Sequence, residues 1–116
     1  MEFLGRLIIS TLAVLVTSYI LPGVQIEGAL TALMVAAVLS FLNAIIKPVL
    51  VILTIPITLF TLGFFLLVIN AVMILLASRL VPAFHVNGFW TAFLFSLVLS
   101  IVNSVFNKLN TKREEE

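Results

Sequence analysis

The residues of this sequence that could do chemistry in apolar surroundings are mostly neutral: Ser10, Ser40, Asn43, Asn70, Ser100 and Asn103. Such side chains donate and accept hydrogen bonds without carrying charge. Four of them recur in two matched stretches, "LSFLNAIIKP" from Leu39 to Pro48 and "LSIVNSVFNK" from Leu99 to Lys108. Counted from one end of the apolar runs that hold them, Ser10, Ser40, Asn70 and Ser100 fall at one level, about 10 Å in. Asn43 and Asn103 lie one turn nearer that end. A polar layer of this kind has two readings. It ties helices together through contacts worth about 0.6 to 2 kcal/mol each, or it holds a small polar ligand or water. Catalysis is a poor fit, because no Asp, Glu, Lys, Arg or His stands near the middle of any apolar run. No nucleophile, base and orienting group can therefore share a site. The embedded carboxylate of a proton-coupled exporter is missing too, since Glu2 and Glu27 stand at the edges of runs.

Composition says where those residues must sit. Of the 116 residues 63% are hydrophobic and 9% charged, with a mean hydropathy of +1.34, which is outside the range of soluble globular domains. The chain reads as an integral membrane protein forming one transmembrane domain over residues 1–107, with a charged cytoplasmic tail at 108–116. A formal charge of +1, with the charges at the ends of apolar runs, implies no nucleic-acid partner. There is no cysteine, and the single His85 and scattered acids form no ligand cluster, so neither a metal nor another cofactor is implied. Arg6 precedes an apolar run that ends in "SYILPG" without a small-x-small processing site. It reads as a retained span, not a cleaved signal.

Sliding the sequence by 60 places against itself aligns Ser18 with Ser78, Pro22 with Pro82, Gly28 with Gly88, Thr31 with Thr91 and Asn43 with Asn103. This is an internal repeat. Each copy holds two apolar segments of 18 or 19 residues, at 3–21 and 29–46, then at 64–81 and 89–106. At about 1.5 Å per residue each just covers a hydrocarbon core of roughly 30 Å. The expected fold is an all-α membrane protein, a four-transmembrane-helix bundle of two helical hairpins in parallel repeat. The apolar connector 48–63 is expected to be interfacial or re-entrant, because Pro48 and Pro56 interrupt the helical ladder and Gly63 favours a turn. Four spans with both termini cytoplasmic place Arg6, Lys47, Lys108, Lys112 and Arg113 inside and only Arg79 outside, whereas five spans would divide the basic residues evenly. The outer turns "PGVQIEG" and "PAFHVNG" alternate in a way that suits two short extended pieces able to pair.

In the second helix of each copy small residues recur at every fourth place: Gly28, Ala32, Ala36, Ser40 and Ala44, then Gly88, Ala92, Ser96, Ser100 and Ser104. That spacing forms one stripe, along which backbones can approach closely. Packing is the favoured reading of the stripe; the other is that its serines line a water-filled path.

The run "NAIIKPVLVILTIPITLFTLGFFLLVINA", with Lys47-Pro48, Pro56, Thr61-Leu62-Gly63 and Asn70-Ala71, together with the "HVNGFWTA" turn, resembles the YvlD-like small bacterial membrane proteins of the phage holin family, of the mycobacterial four-span type. The resemblance covers nearly the whole chain. It implies a protein of the bacterial cytoplasmic membrane without catalytic residues. Its partners would be the lipid bilayer and either further copies of itself or a small membrane protein. Two functions follow as expectations: a structural or interaction role, linked to envelope stress or to a neighbouring partner, or a holin-like oligomeric pore.

Overall fold

A computed structural model describes residues 2–115, with side chains to residue 109. The chain is almost wholly helical, in a bundle of 42 × 34 × 23 Å. Helix α1 spans Glu2–Ile20 and α2 spans Ala29–Phe41, leading through one π-helical stretch, Leu42–Ile46, into α3 at Lys47–Leu53. A short α4 follows at Ile55–Phe60, then α5 at Phe64–Leu80 and α6 at Phe89–Glu115. Three helical stretches are long and apolar enough to cross a membrane, Glu2–Ile20, Ala29–Leu53 and Phe89–Leu109, while Phe64–Leu80 is a shorter apolar helix of 17 residues.

The connector differs from the expectation at its first half. Pro48 does not end the second helix, which runs for 25 residues to Leu53. Proline lacks an N–H and clashes with the preceding turn of a regular α-helix. The chain absorbs this by widening to π geometry just before it, with the Lys47 N–H donating to the Leu42 carbonyl and Pro48 taking an opening position of α3. The break comes at Thr54 (φ −104°, ψ 11°), after which Pro56 opens α4. Leu62 and Gly63 then both take positive φ, 56° and 89°. The Gly63 N–H closes back on the Thr58 carbonyl at 2.8 Å, a left-handed stop for α4.

The four long helical units form a ring. α1 packs along α2 and α6, and α5 along α6 and α2, while the diagonal pairs barely meet. Two short strands, β1 at Val24–Ile26 and β2 at Phe84–Val86, pair antiparallel with Val24 opposite Val86, Gln25 opposite His85 and Ile26 opposite Phe84. Their pairing puts the turn after α1 and the turn after α5 at one end of the bundle. Gly23 permits that pairing: its φ is +88°, and an added Cβ would come within 3.3 Å of the Thr91 side chain. The interior is filled from every long helix, by Ala13, Val14 and Thr17, by Ala32, Val35 and Ala36, by Met73, Ile74 and Ala77, and by Ala92 and Phe95, with Phe84 of β2 beside them. Phe84 and Phe95 pack ring to ring at 5.5 Å and form the apolar plug below the strand pair. α6 continues to Glu115, so the backbone of the charged tail is helical to that residue; its side chains beyond residue 109 lie outside the described residues.

Candidate functional site

The polar groups come together at the end of the bundle away from the strands. A cavity of about 60 Å³ is lined by Ser10, Ser40, Asn43 and Asn103, and closed by the apolar side chains Val14, Ala36, Leu39 and Leu99. It lies where α2 and α6, the diagonal helices, leave space between them. The lining includes two repeat-related pairs, Leu39 with Leu99 and Asn43 with Asn103, and to these α1 adds Ser10. Asn70 and Ser100, at the same depth by residue counting, do not line it. Asn70 is half-buried on α5 and Ser100 faces outward.

The hydrogen bonds run within helices. The Ser40 hydroxyl donates to the Ala36 carbonyl at 2.9 Å and the Ser96 hydroxyl to the Phe93 carbonyl at 2.8 Å. On α1, the buried Thr17 hydroxyl donates to the Ala13 carbonyl at 2.7 Å. Among the described residues, one buried side-chain oxygen has no hydrogen-bond partner, Oδ1 of Asn103, a residue that also lines the cavity.

The small-residue stripe is divided by depth. Ala32, Ala36, Ala92 and Ser96 are buried and Ser40 is half-buried. Gly28 and Gly88 at the strand end are exposed, as are Ala44, Ser100 and Ser104 at the other. Val38, which alternates away from the stripe by spacing, packs against the core. His85 and Glu27 are exposed at the strand end, and Arg79 is exposed in the last turn of α5. Among the described residues no three His, Cys, Asp or Glu side chains converge. Sequence reading passed over Thr17, Phe84 and Phe95, all fully buried. Spacing does not mark Thr17 and Phe95, which sit in runs that are mostly apolar, whereas Phe84 stands in the alternating turn "PAFHVNG", where a period of two puts it on the face opposite His85.

The family model described as mycobacterial 4 TMS phage holin, superfamily IV, matches residues 1–105. The chain belongs to this holin superfamily. Among its relatives, an uncharacterized protein of Streptomyces coelicolor is 39% identical over 116 residues, covering 91% of this chain and 93% of the relative. The uncharacterized membrane protein YvlD of Bacillus subtilis is 35% identical over 103 residues, covering 88% of this chain and 87% of that one. No solved structure matches. The resemblance read from the "NAIIKPVLVILTIPITLFTLG" run is therefore to the right family. As a member of the holin superfamily the protein is a multi-pass membrane protein whose apolar helices sit in the lipid bilayer.

Proposed function

We propose that this holin-superfamily protein is a non-enzymatic packing and interaction component of the bacterial cytoplasmic membrane, crossing it four times with both termini on the cytoplasmic side. The observation that carries this reading is the filled interior. Between the polar cavity and the strand pair the ring is plugged by Val14, Val35, Met73, Phe84 and Phe95, each fully buried, and an apolar plug of that depth resists hydration. Arrangement of the four helices supports the topology. With β1 and β2 paired, α1 and α5 end at the same side, so α2 and α6 both return. Gln25 faces His85, its counterpart at the repeat interval of 60 residues, as expected of two hairpins related by a two-fold axis along the membrane normal. With that axis the basic residues other than Arg79 gather on one side.

A second reading has its own support. Membership in a holin superfamily favours an oligomeric pore, and Ser100 and Ser104 are exposed on α6, where a second copy could turn them toward a hydrated path. Graded expression with a potential-sensitive dye separates the two. A packing component leaves the membrane potential at the level given by an unrelated four-span protein at matched amounts. Abrupt depolarisation, shifted in time by Asn70→Leu, would replace the packing reading with the pore.

A further inference from the structure

The π-helical stretch beside the polar cavity leaves a main-chain acceptor without its helical donors. In a regular α-helix the Asn43 carbonyl receives the Lys47 N–H; here that N–H donates to the Leu42 carbonyl. The next donor that π geometry could offer belongs to Pro48, which has no N–H. The Ser40 hydroxyl gives its hydrogen to the Ala36 carbonyl, so toward other groups it acts only as an acceptor. Asn103 Oδ1 is buried with no partner among the described residues. The result is a small, uncharged concavity whose two serines and two asparagines bring four side-chain oxygens able to accept, beside the Ser10 hydroxyl and the asparagine NH2 groups that can donate, set among apolar side chains where an unmatched acceptor is costly.

We propose that this cavity, formed by Ser10, Ser40, Asn43 and Asn103, binds one partly dehydrated monovalent cation of sodium size. Positive charge density is what satisfies several oxygen acceptors at once. Hydroxyl, amide and interrupted-helix carbonyl oxygens are the groups that hold sodium ions inside membrane transporters built from broken helices. A divalent ion is disfavoured because its tighter hydration shell calls for carboxylate ligands, and no carboxylate lines the cavity. A cavity of about 60 Å³ holds an ion with several residual waters, since about 10 to 15 Å³ of space for a water's centre admits one molecule. Val14 and Leu39, which line the cavity with Leu99, belong to the buried apolar core, so the ion stabilises the bundle without being conducted through that interior. The site is independent of whether the protein acts by packing or by forming pores.

The test is thermal unfolding of the full chain in nanodiscs of zwitterionic lipid, followed by Trp90 fluorescence in sodium, potassium or N-methyl-D-glucamine chloride at equal ionic strength. Sodium is expected to raise the melting temperature saturably, by several degrees over N-methyl-D-glucamine. Ser40→Ala, which removes one oxygen and little volume, should move the sodium midpoint up by about tenfold, and Pro48→Ala, which restores an N–H, should weaken the response further. Sodium-23 line broadening by the wild-type protein, lost in Ser40→Ala, would agree. Equal melting temperatures in the three salts would mean that the cavity holds water alone and would overturn the proposal. So would a sodium response unchanged in both variants.

Discussion

Two residues that share one stripe by spacing have different surroundings. Ala92 is fully buried where α6 meets the rest of the ring, and Ser100, two turns along the same line, is exposed. Ala92→Leu forces three extra carbons into a filled contact and should cost about 1 to 3 kcal/mol. Ser100→Leu adds two heavy atoms toward lipid and should stay within about 0.5 kcal/mol. Reversible unfolding in mixed detergent micelles measures both. If the two substitutions cost the same, the outer half of α6 has a helix against it, and a second copy of the chain becomes the natural candidate. The stripe read from sequence treats these positions alike, because a spacing of four defines a line on a helix but not how far along that line a neighbour reaches.

At the scale of elements, the second helix is the instructive case. Pro48 reads as a stop, yet the helix continues to Leu53, because one residue's worth of extra chain at Leu42–Ile46 accommodates the ring of the proline. The widened stretch also sets which way α3 faces, since Leu50 beyond it packs against the core. An α-helix rotates by about 100° per residue. Deleting Ala44, exposed and inside the π-helical stretch, in a Pro48→Ala background that removes the ring clash, should return the ladder to regular i to i−4 bonding while Leu50 keeps its direction. Deleting Ala37, in regular helix upstream, should turn Leu39, Leu42 and Leu50 away from their contacts together. Circular dichroism and melting in detergent should find the first variant folded and near wild-type, and the second destabilised or unfolded. Equal damage from both would mean that the π geometry is itself required for the fold.

For the whole molecule, the paired strands tie the two hairpin turns to one end, and the proposed topology follows from that tie. Reporter fusions after Lys47 and after Glu116 are expected to read cytoplasmic, and fusions near Gln25 and His85 external. A C-terminus found outside would mean that the stretch from Pro48 to Gly63 crosses the membrane on its own, and the parallel relation of the two hairpins would fall with it. The short α5 is the element on which this depends. At 17 residues it extends about 26 Å, slightly less than the hydrocarbon thickness, and its exposed Arg79 can reach outward to the interface.

Membrane residence, the helical class, the repeat of 60 residues and the two matched turns were all legible from residue types and spacing, since each depends on local composition or on self-similarity. Family membership was legible for the same reason. The sequence by itself did not determine which faces of the helices meet. In a bilayer the lipid side and the protein side of a helix are both apolar, so hydropathy carries no signal that tells them apart. Tertiary packing alone decided that Ala32 and Ala92 are buried while Ser100 and Ser104 are not. It also decided that Asn43 and Asn103 converge with Ser10 and Ser40 while Asn70 stays apart. Depth along a helix is countable from residue numbers, but the direction in which a side chain faces depends on how each helix is rotated against its neighbours, and here one residue of π-helical widening set that rotation for α3.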